Sequence, residues 1–233
     1  MSIPKIIHQT FKHNNLPPLY KLCQKEAQTK YPHYIYKFYT DQDMESIIHT
    51  LDPIFKKNVF DKLPTKIIKI DLFRYFLLYH FGGVYIDLDY QMINTFDFQQ
   101  HSIVLPISFG SVSDGNFVLG NCIIASTPNH PFWKSILNSI SNSIDNINDE
   151  YHKIKNNISK YKHFVLNVSG PKFLTKIYKS HFTSDTSILL PDKNTFHPTQ
   201  PKNNQEIKNL KLNNAIGFHH CSGSWLKGNE KRI

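Results

Sequence analysis

Four charged side chains lie close together in the sequence and are of the types that bind metal ions and phosphates. Asp71 and Arg74 are three residues apart, and Asp87 and Asp89 form an Asp-x-Asp pair shortly afterwards. Residues three apart on a helix share one face, so Asp71 and Arg74 are expected to contact each other. Carboxylates are hard ligands that suit Mg²⁺ and Mn²⁺, so the Asp-x-Asp pair fits a divalent cation that holds a diphosphate.

The residues around these four predict the elements that carry them. Ile67 to His80 is long, contains neither Gly nor Pro and is apolar on nearly every side, which indicates a buried helix. Gly82-Gly83 ends that helix and turns the chain, because Gly adopts positive φ at little cost. Val84 to Ile86 is typical of a short strand. The strand period of two then places Tyr85 on the same side as the acid pair.

Each piece also has a purely structural interpretation. In that interpretation, Asp71 and Arg74 only form an ordinary salt bridge within a helix, and Asp87 and Asp89 are only turn residues at a strand end. However, burying charge is costly unless it is paired or bound to a metal. The joint placement of all four on one buried helix–turn–strand unit therefore favours a site for a cation and a diphosphate.

The run from Lys69 to Asp89 resembles the sugar-binding region of the DxD-motif glycosyltransferases. That family includes yeast initiating α-1,6-mannosyltransferases, α-1,4-galactosyltransferases and capsule-synthesis enzymes, and the spacing is also similar to that in the large glucosylating toxins. The resemblance implies an α/β fold: one domain over residues 1–233, Rossmann-like and of the glycosyltransferase A type, with a mainly parallel twisted sheet.

The same resemblance implies an activity and the residues that carry it. A hexosyl unit would pass, with retention of configuration, from a UDP- or GDP-sugar to a hydroxyl on a glycan, lipid or protein. Asp71, Arg74, Asp87 and Asp89 would be catalytic, with Asp71 and Arg74 on the donor sugar and Tyr85 lining the pocket. The acid pair would hold Mn²⁺, with Mg²⁺ as the alternative.

Further donor contacts follow from the resemblance at two other places. Ile7, His8 and Gln9 end an apolar opening strand and become base and ribose contacts, since ligands collect at strand ends in α/β sheets. The alternative is an ordinary core strand with a solvent-exposed His8. Asn121 precedes another apolar strand and becomes a donor-sugar contact, although a turn-capping role explains it equally well.

The run 215–225, Ala-Ile-Gly-Phe-His-His-Cys-Ser-Gly-Ser-Trp, resembles the closing motif of the family. It implies that His219 completes the metal shell and that Ser224 and Trp225 hydrogen-bond the diphosphate. Neighbouring strand residues face opposite ways, so only one of His219 and His220 points at the ion. His219 matches the motif better, and His220 is the alternative.

Composition excludes several other classes of protein. A hydrophobic fraction of 40% excludes a disordered chain. The net charge of +9 suits an acidic partner, but arginine occurs only at Arg74 and Arg232 and the lysines are spread along the chain. Neither zinc-finger spacing nor an RNA-recognition signature is present, so no nucleic-acid partner is expected.

Cysteine usage and the N-terminus predict a compartment. Cys23, Cys122 and Cys221 are odd in number and far apart, which predicts free buried thiols in a reducing environment. The first residues contain neither a signal-peptide core nor a transmembrane segment. A cytoplasmic location is therefore expected.

Two other functions compete with sugar transfer. Ile86 to Asp89 also resembles the DxDx(T/V) nucleophile motif of haloacid-dehalogenase phosphatases, with Asp87 as nucleophile. Gln91, however, stands where that motif has Thr or Val, and the downstream Lys and acid pair are not evident. The other rival is a non-catalytic nucleotide-sugar-binding module, which intact ligand positions do not favour.

Two further stretches give predictions about structure. Isoleucines and tyrosines recur in steps of four and three from Ile140 to Tyr161, which predicts one amphipathic helix of roughly six turns packed on the core. Gln200 to Asn214 is rich in Lys and Asn and poor in apolar residues, which predicts a surface loop.

Overall fold

The computed structural model describes residues 2–223, and Ser224 and Trp225 of the closing motif lie outside this range. The helices are α1 (Pro18–Lys30), α2 (Asp41–Leu51), α3 (Pro53–Asn58), α4 (Lys66–Phe81), α5 (Pro131–Asn142), α6 (Ile144–Ile154), α7 (Ile158–Val168), α8 (Pro171–His181), α9 (Lys193–Phe196) and α10 (Asn204–Leu212). The strands are β1 (Ile6–Thr10), β2 (Ile35–Tyr39), β3 (Gly83–Ile86), β4 (Tyr90–Met92), β5 (Ile103–Val104), β6 (Ile107–Gly110), β7 (Phe117–Leu119), β8 (Ile123–Ser126), β9 (Ile188–Leu189) and β10 (Gly217–His219).

The main sheet has six strands in the order β2-β1-β3-β8-β5-β9. β1 is parallel to both β2 and β3, and β9 is parallel to β5, whereas β8 is antiparallel to each of its neighbours. Two antiparallel pairs, β4 with β10 and β6 with β7, lie beside this sheet. The predicted α/β class with a mainly parallel central sheet is therefore confirmed.

Both faces of the central strands are buried, because side chains alternate between two hydrophobic clusters. On β3, Tyr85 belongs to one cluster, and Val84 and Ile86 belong to the other. On β8, Ile124 and Ala125 separate in the same way. Strands covered on both faces contain continuous apolar runs, as parallel-type sheets do.

The predicted helix–turn–strand unit is present. α4 is buried along most of its length. It ends at Gly82, where φ is 61°, and Gly83 follows with φ of 93°. A Cβ on Gly82 would lie 2.7 Å from the carbonyl oxygen of Ser126, and one on Gly83 would lie 2.7 Å from that of Ile6. Only glycine fits both the backbone conformation and this close approach.

The single long helix predicted from Ile140 to Tyr161 is wrong, because α5, α6 and α7 share that stretch. The break before α7 is fixed by Asn157, whose side chain accepts a hydrogen bond from the backbone N–H of Lys160. Such a cap starts a new helix. The expected core packing holds at the start of the stripe but fails at Ile158, which is 67% exposed.

Two further expectations are also wrong. Residues 204–212 of the predicted surface loop form α10, which starts where the Asn203 side chain accepts from the N–H of Glu206. A polar helix of this kind is easily mistaken for a loop when its apolar residues are few. Cys23 and Cys122 are buried free thiols as expected, whereas Cys221 is exposed.

Among residues 2–223, none of the helices combines the length and the hydrophobicity needed to cross a membrane. α4 is the apolar helix at the centre of the fold, and it has 16 residues. A spanning helix needs about 20 predominantly apolar residues. The hydrophobicity of α4 instead reflects its burial against the central sheet.

Candidate active site

A cavity of about 400 Å³ opens where β1 and β3 end, with α4, α7 and α8 on its sides. It contains most of the side chains that the sequence predicts for the site. These are Asp71, Arg74, Tyr85, Asp87, Asp89, Asn121 and His219. They come from positions as far apart as 71 and 219, so the fold alone brings them together.

Asp87, Asp89 and His219 form a cluster at one end of the cavity. Each offers one ligand atom, and these atoms all lie within 4.8 Å of one another. β3 ends at Ile86, and a turn closed by the hydrogen bond from Tyr90 N–H to the Asp87 carbonyl (3.0 Å) holds both carboxylates at this end. β10 pairs with β4, which sets His219 opposite Tyr90, next to the turn.

The cluster is tied together by hydrogen bonds around Asp89. One oxygen of Asp89 lies 2.8 Å from Nε2 of His219, and the other accepts from the N–H (2.9 Å) and the hydroxyl (2.7 Å) of Ser222. Burial alone would raise the pKa of Asp89, but these bonds lower it below its ordinary value. Burial likewise opposes the charged form of His219, yet neighbouring Cys122 and Asp89 raise the pKa of the imidazole.

The donor set fits a divalent cation. Two carboxylates and an imidazole within this spacing are ligands that Mn²⁺ and related ions accept. A metal requires the imidazole in its neutral form, so binding would replace the contact between Asp89 and His219 Nε2. His220 points elsewhere, because its Nε2 lies 3.0 Å from the side-chain oxygen of Gln91. Of the two histidines considered, His219 therefore faces the acid pair.

Asp71, in the same cavity, is held by one ion pair and two hydrogen bonds. One oxygen forms an ion pair with Arg74 Nη2 (3.0 Å) and accepts from the amide of Asn121 (3.1 Å), and the other accepts from the hydroxyl of Ser169 (2.7 Å). The side chain is only 5% exposed. Burial raises the pKa of Asp71, and the charge of Arg74 opposes that shift.

Arg74 lies between the two groups of carboxylates. Its Nη1 donates to Asp87 Oδ2 (3.4 Å) and to the backbone carbonyl of Asn121 (2.5 Å). Nη1 also lies 3.2 Å from Asp87 Oδ1, and Nη2 lies 3.0 Å from Asp71 Oδ1. The guanidinium also lies 4.7 Å from the centre of the Tyr85 ring. Burial raises the pKa of Asp87, and Arg74 opposes that shift as well. The helix salt bridge is therefore real, and it is also part of the cavity wall.

The side chains of Ile7, His8 and Gln9 do not line this cavity, and their expected role as donor contacts stays a prediction. β1 lies between β2 and β3, so these three residues are buried in the interior of the sheet. His8 bonds the Gly82 carbonyl (2.8 Å), and burial lowers its pKa to about 4. Thr10 and Phe11, at the end of β1 and just after it, line the cavity instead. The expectation of an exposed His8 is wrong.

Sequence reasoning missed two serines of the site. Ser169 precedes a Gly-Pro helix start and contacts Asp71 across 98 residues of sequence, so no local pattern indicates the contact. Ser222 lies within the closing motif, and its hydroxyl also contacts the hydroxyl of Tyr20 at 2.9 Å. The polar residues of the closing motif were the available signal for Ser222.

Residues 17–105 match the family described as "Glycosyltransferase sugar-binding region containing DXD motif". The matched range includes α4, β3 and the acid pair. The chain is also 30% identical over 196 residues to inositol phosphoceramide mannosyltransferase 3 of Schizosaccharomyces pombe. That match covers 84% of this chain and 49% of the relative. The chain thus spans about half the length of this curated relative.

Two solved structures share the fold at low sequence identity. The ligand-free glycosyltransferase domain of the YGT toxin superposes with a TM-score of 0.58 at 9% identity, over 84% of this chain and 82% of that one. The catalytic domain of alpha-toxin from Clostridium novyi gives 0.54 at 11% identity, over 97% and 80%. Together with the match of residues 17–105, these findings confirm the resemblance to the DXD glycosyltransferases and the glycosyltransferase A fold.

Proposed function

This chain carries the DXD-type sugar-binding region on a glycosyltransferase A fold, and from that premise we propose that it is a metal-dependent, retaining hexosyltransferase. It would move a sugar from a nucleoside-diphosphate donor to a hydroxyl acceptor. One observation carries the proposal: the cluster of Asp87, Asp89 and His219 shares a cavity with the buried Asp71–Arg74 pair.

In this proposal Asp87, Asp89 and His219 hold the cation, and Mn²⁺ is the first candidate. When bound, the cation acts as a Lewis acid that offsets the charge of the leaving diphosphate. Arg74 keeps Asp87 oriented through its Nη1. Ser222 orients Asp89 through two hydrogen bonds to one oxygen.

Asp71 is the proposed contact to a donor-sugar hydroxyl. An ionised carboxylate has about four acceptor positions. Hydrogen bonds from Asn121 and Ser169 occupy two of them, and Arg74 forms an ion pair with the oxygen that Asn121 contacts. Acceptor capacity is therefore left for a hydroxyl of a ligand in the cavity, which Asp71 lines. Asn121 thus supports the donor site by holding Asp71 as well as by lining the cavity.

The name of the Schizosaccharomyces pombe relative supports mannose as the first sugar to test and a lipid-linked acceptor as the first acceptor class. Glycans and proteins are the other acceptor classes. The family match and the fold both support sugar transfer over the haloacid-dehalogenase alternative. A binding module without turnover is the rival that experiment must separate.

The proposal is tested by donor hydrolysis across UDP- and GDP-sugars, with Mn²⁺, with Mg²⁺ and with excess EDTA. We expect nucleoside diphosphate release to require the cation, with Mn²⁺ at least as effective as Mg²⁺. Turnover that continues unchanged in EDTA would contradict the metal assignment. Tight donor binding without release, for every sugar and with an added alcohol acceptor, would favour the binding module. Proton NMR of the glycosylated product then reports whether configuration is retained.

Ser169→Ala is expected to weaken nucleotide-sugar binding while leaving affinity for the free nucleoside diphosphate nearly unchanged. The variant removes the hydrogen bond that orients Asp71, so the loss should be roughly fivefold to tenfold in dissociation constant. Titration calorimetry with both ligands measures it. Ser126→Ala is the matched control, because Ser126 is equally buried and its hydroxyl bonds only the Thr127 carbonyl. Equal weakening of both ligands by Ser169→Ala would argue against a sugar contact at Asp71.

A further inference from the structure

Residues 151–184, here called the basic wall, include the end of α6 and all of α7 and α8. This stretch contains seven lysines and no Asp or Glu, although the lysines of the whole chain looked evenly spread. All seven are exposed. They are Lys153, Lys155, Lys160, Lys162, Lys172, Lys176 and Lys179. The charged residues of this stretch are therefore all positive rather than mixed in sign.

The charge of the basic wall is also not neutralised locally. Elsewhere Lys56 pairs with two carboxylates, but among residues 2–223 no lysine of the basic wall forms an ion pair. Lys179 donates only to the carbonyl of Gly115. The bordering acids are Asp149 and Glu150, just before the wall, and Asp185, just after it. The Asp185 carboxylate accepts hydrogen bonds from the N–H and the hydroxyl of Ser187. Unpaired exposed cations of this density attract anionic partners.

An exposed apolar side chain lies among these lysines. Ile158, at the start of α7, is 67% exposed. Lys162, Val165 and Leu166 follow on the same side of that helix, and all three line the catalytic cavity. Ile158 therefore lies at the outer end of a helix face that leads into the cavity.

A second cavity of about 540 Å³ lies between α6 and α7 on this wall. Ile154 and Phe164 supply apolar lining, and Glu150, Lys160 and His163 supply polar lining. It shares Lys162 and Leu166 with the catalytic cavity. The basic, partly apolar surface thus continues directly into the catalytic site.

We propose that the basic wall docks onto an anionic lipid bilayer and turns the mouth of the catalytic cavity toward the membrane surface. The lysines would contact the phosphate and carboxylate groups of the lipids, and Ile158 would enter the interface. Lysine clusters beside apolar side chains bind membranes in this way, at about 1 kcal/mol per basic residue. Exposed Ile158 and the lack of arginine in the wall favour a bilayer over a nucleic acid.

The test is flotation of the full chain with phosphatidylcholine vesicles and with vesicles containing 30% phosphatidylserine. We expect binding to the anionic vesicles only, reduced by high salt. The triple variant Lys153→Gln, Lys155→Gln, Lys160→Gln should lower the partition coefficient by about tenfold or more. The matched control replaces Lys21, Lys25 and Lys37 with Gln. These lysines are exposed, lie outside residues 151–184, and their replacement lowers the net charge by the same three units. The control should stay within about twofold of wild type, since its lysines are outside the wall.

The apolar contribution is tested with Ile158→Ser against Ile54→Ser, because Ile54 is 71% exposed on α3 and lies outside the wall. Only Ile158→Ser should weaken vesicle binding. Thermal unfolding verifies that each variant is folded. Absent binding, equal binding to neutral vesicles, or equal losses in the matched controls would overturn the proposal. The proposal would also be overturned if single-stranded RNA displaced the protein from the vesicles and Ile158→Ser did not change vesicle binding. That result would indicate a nucleic-acid surface. None of these measurements depends on donor or metal, so they can fail separately from the proposed transferase activity.

Discussion

Asp89→Asn is expected to lower the turnover of donor hydrolysis by about a thousandfold, because losing a metal ligand removes about 4 kcal/mol of charge stabilisation in the transition state. Asp89 is the best-connected member of the cluster, with His219 on one oxygen and Ser222 on the other. Asn keeps the size of the side chain and removes its charge. The effect should therefore appear in metal binding and turnover more than in folding.

The measurement combines steady-state turnover with Mn²⁺ titration followed by electron paramagnetic resonance. Wild type should bind Mn²⁺ tightly, and Asp89→Asn should bind it weakly while remaining folded by circular dichroism. Asp145→Asn is the control, since Asp145 is an exposed acid in the first turn of α6. Turnover of Asp89→Asn within about twofold of wild type, a difference of only about 0.4 kcal/mol, would remove Asp89 from the metal site.

Arg74→Met is expected to lower the free energy of unfolding by about 3–5 kcal/mol, as measured for other buried ion pairs that lose one partner. Both the Asp71 and Asp87 carboxylates contact this guanidinium. Arg74 itself is 4% exposed. Removing it leaves two carboxylates without their cation and the backbone carbonyl of Asn121 without its Arg74 donor. In a chain of 233 residues such a loss lowers the melting temperature by roughly 10 °C.

Urea denaturation at neutral pH measures this loss. Lys56→Met is the control, because Lys56 pairs with Glu45 and Asp61 at the surface. Exposed pairs contribute about 0–1 kcal/mol. The double variant Asp71→Asn, Arg74→Met should recover part of the stability, because it also removes one unpaired carboxylate. A double variant less stable than Arg74→Met alone would mean that Asp71 is not the source of the cost.

The helix–glycine–strand unit was predictable from sequence, because its signals are local. A long apolar run without breakers, a Gly pair and a short β-branched run each have one common structural outcome. The three-residue spacing of Asp71 and Arg74 likewise predicted their contact, which is 3.0 Å between Oδ1 and Nη2. His219 was found only through the resemblance of the closing motif, since 130 residues separate it from Asp89.

What could not be predicted depends on position within the tertiary structure. β1 is an interior strand of the sheet, and nothing local to Ile7, His8 and Gln9 shows this, so their burial was missed. The stripe from Ile140 to Tyr161 keeps helical spacing across the two junctions between α5, α6 and α7, because these consecutive helices pack on one core. The spacing of apolar residues indicates which face of a helix is buried, but it does not indicate whether the helix is continuous.

The pairing of β10 with β4 also determines when the site is completed during protein synthesis. Asp89 emerges from the ribosome 130 residues before His219. At about 5–20 residues per second this is an interval on the order of ten seconds. During that interval the nascent chain holds the two carboxylates without the imidazole, and the turn after β3 has no β10 beside it. A three-ligand cation site therefore arises only after residue 219 has been made, when all six strands of the main sheet have already been synthesised.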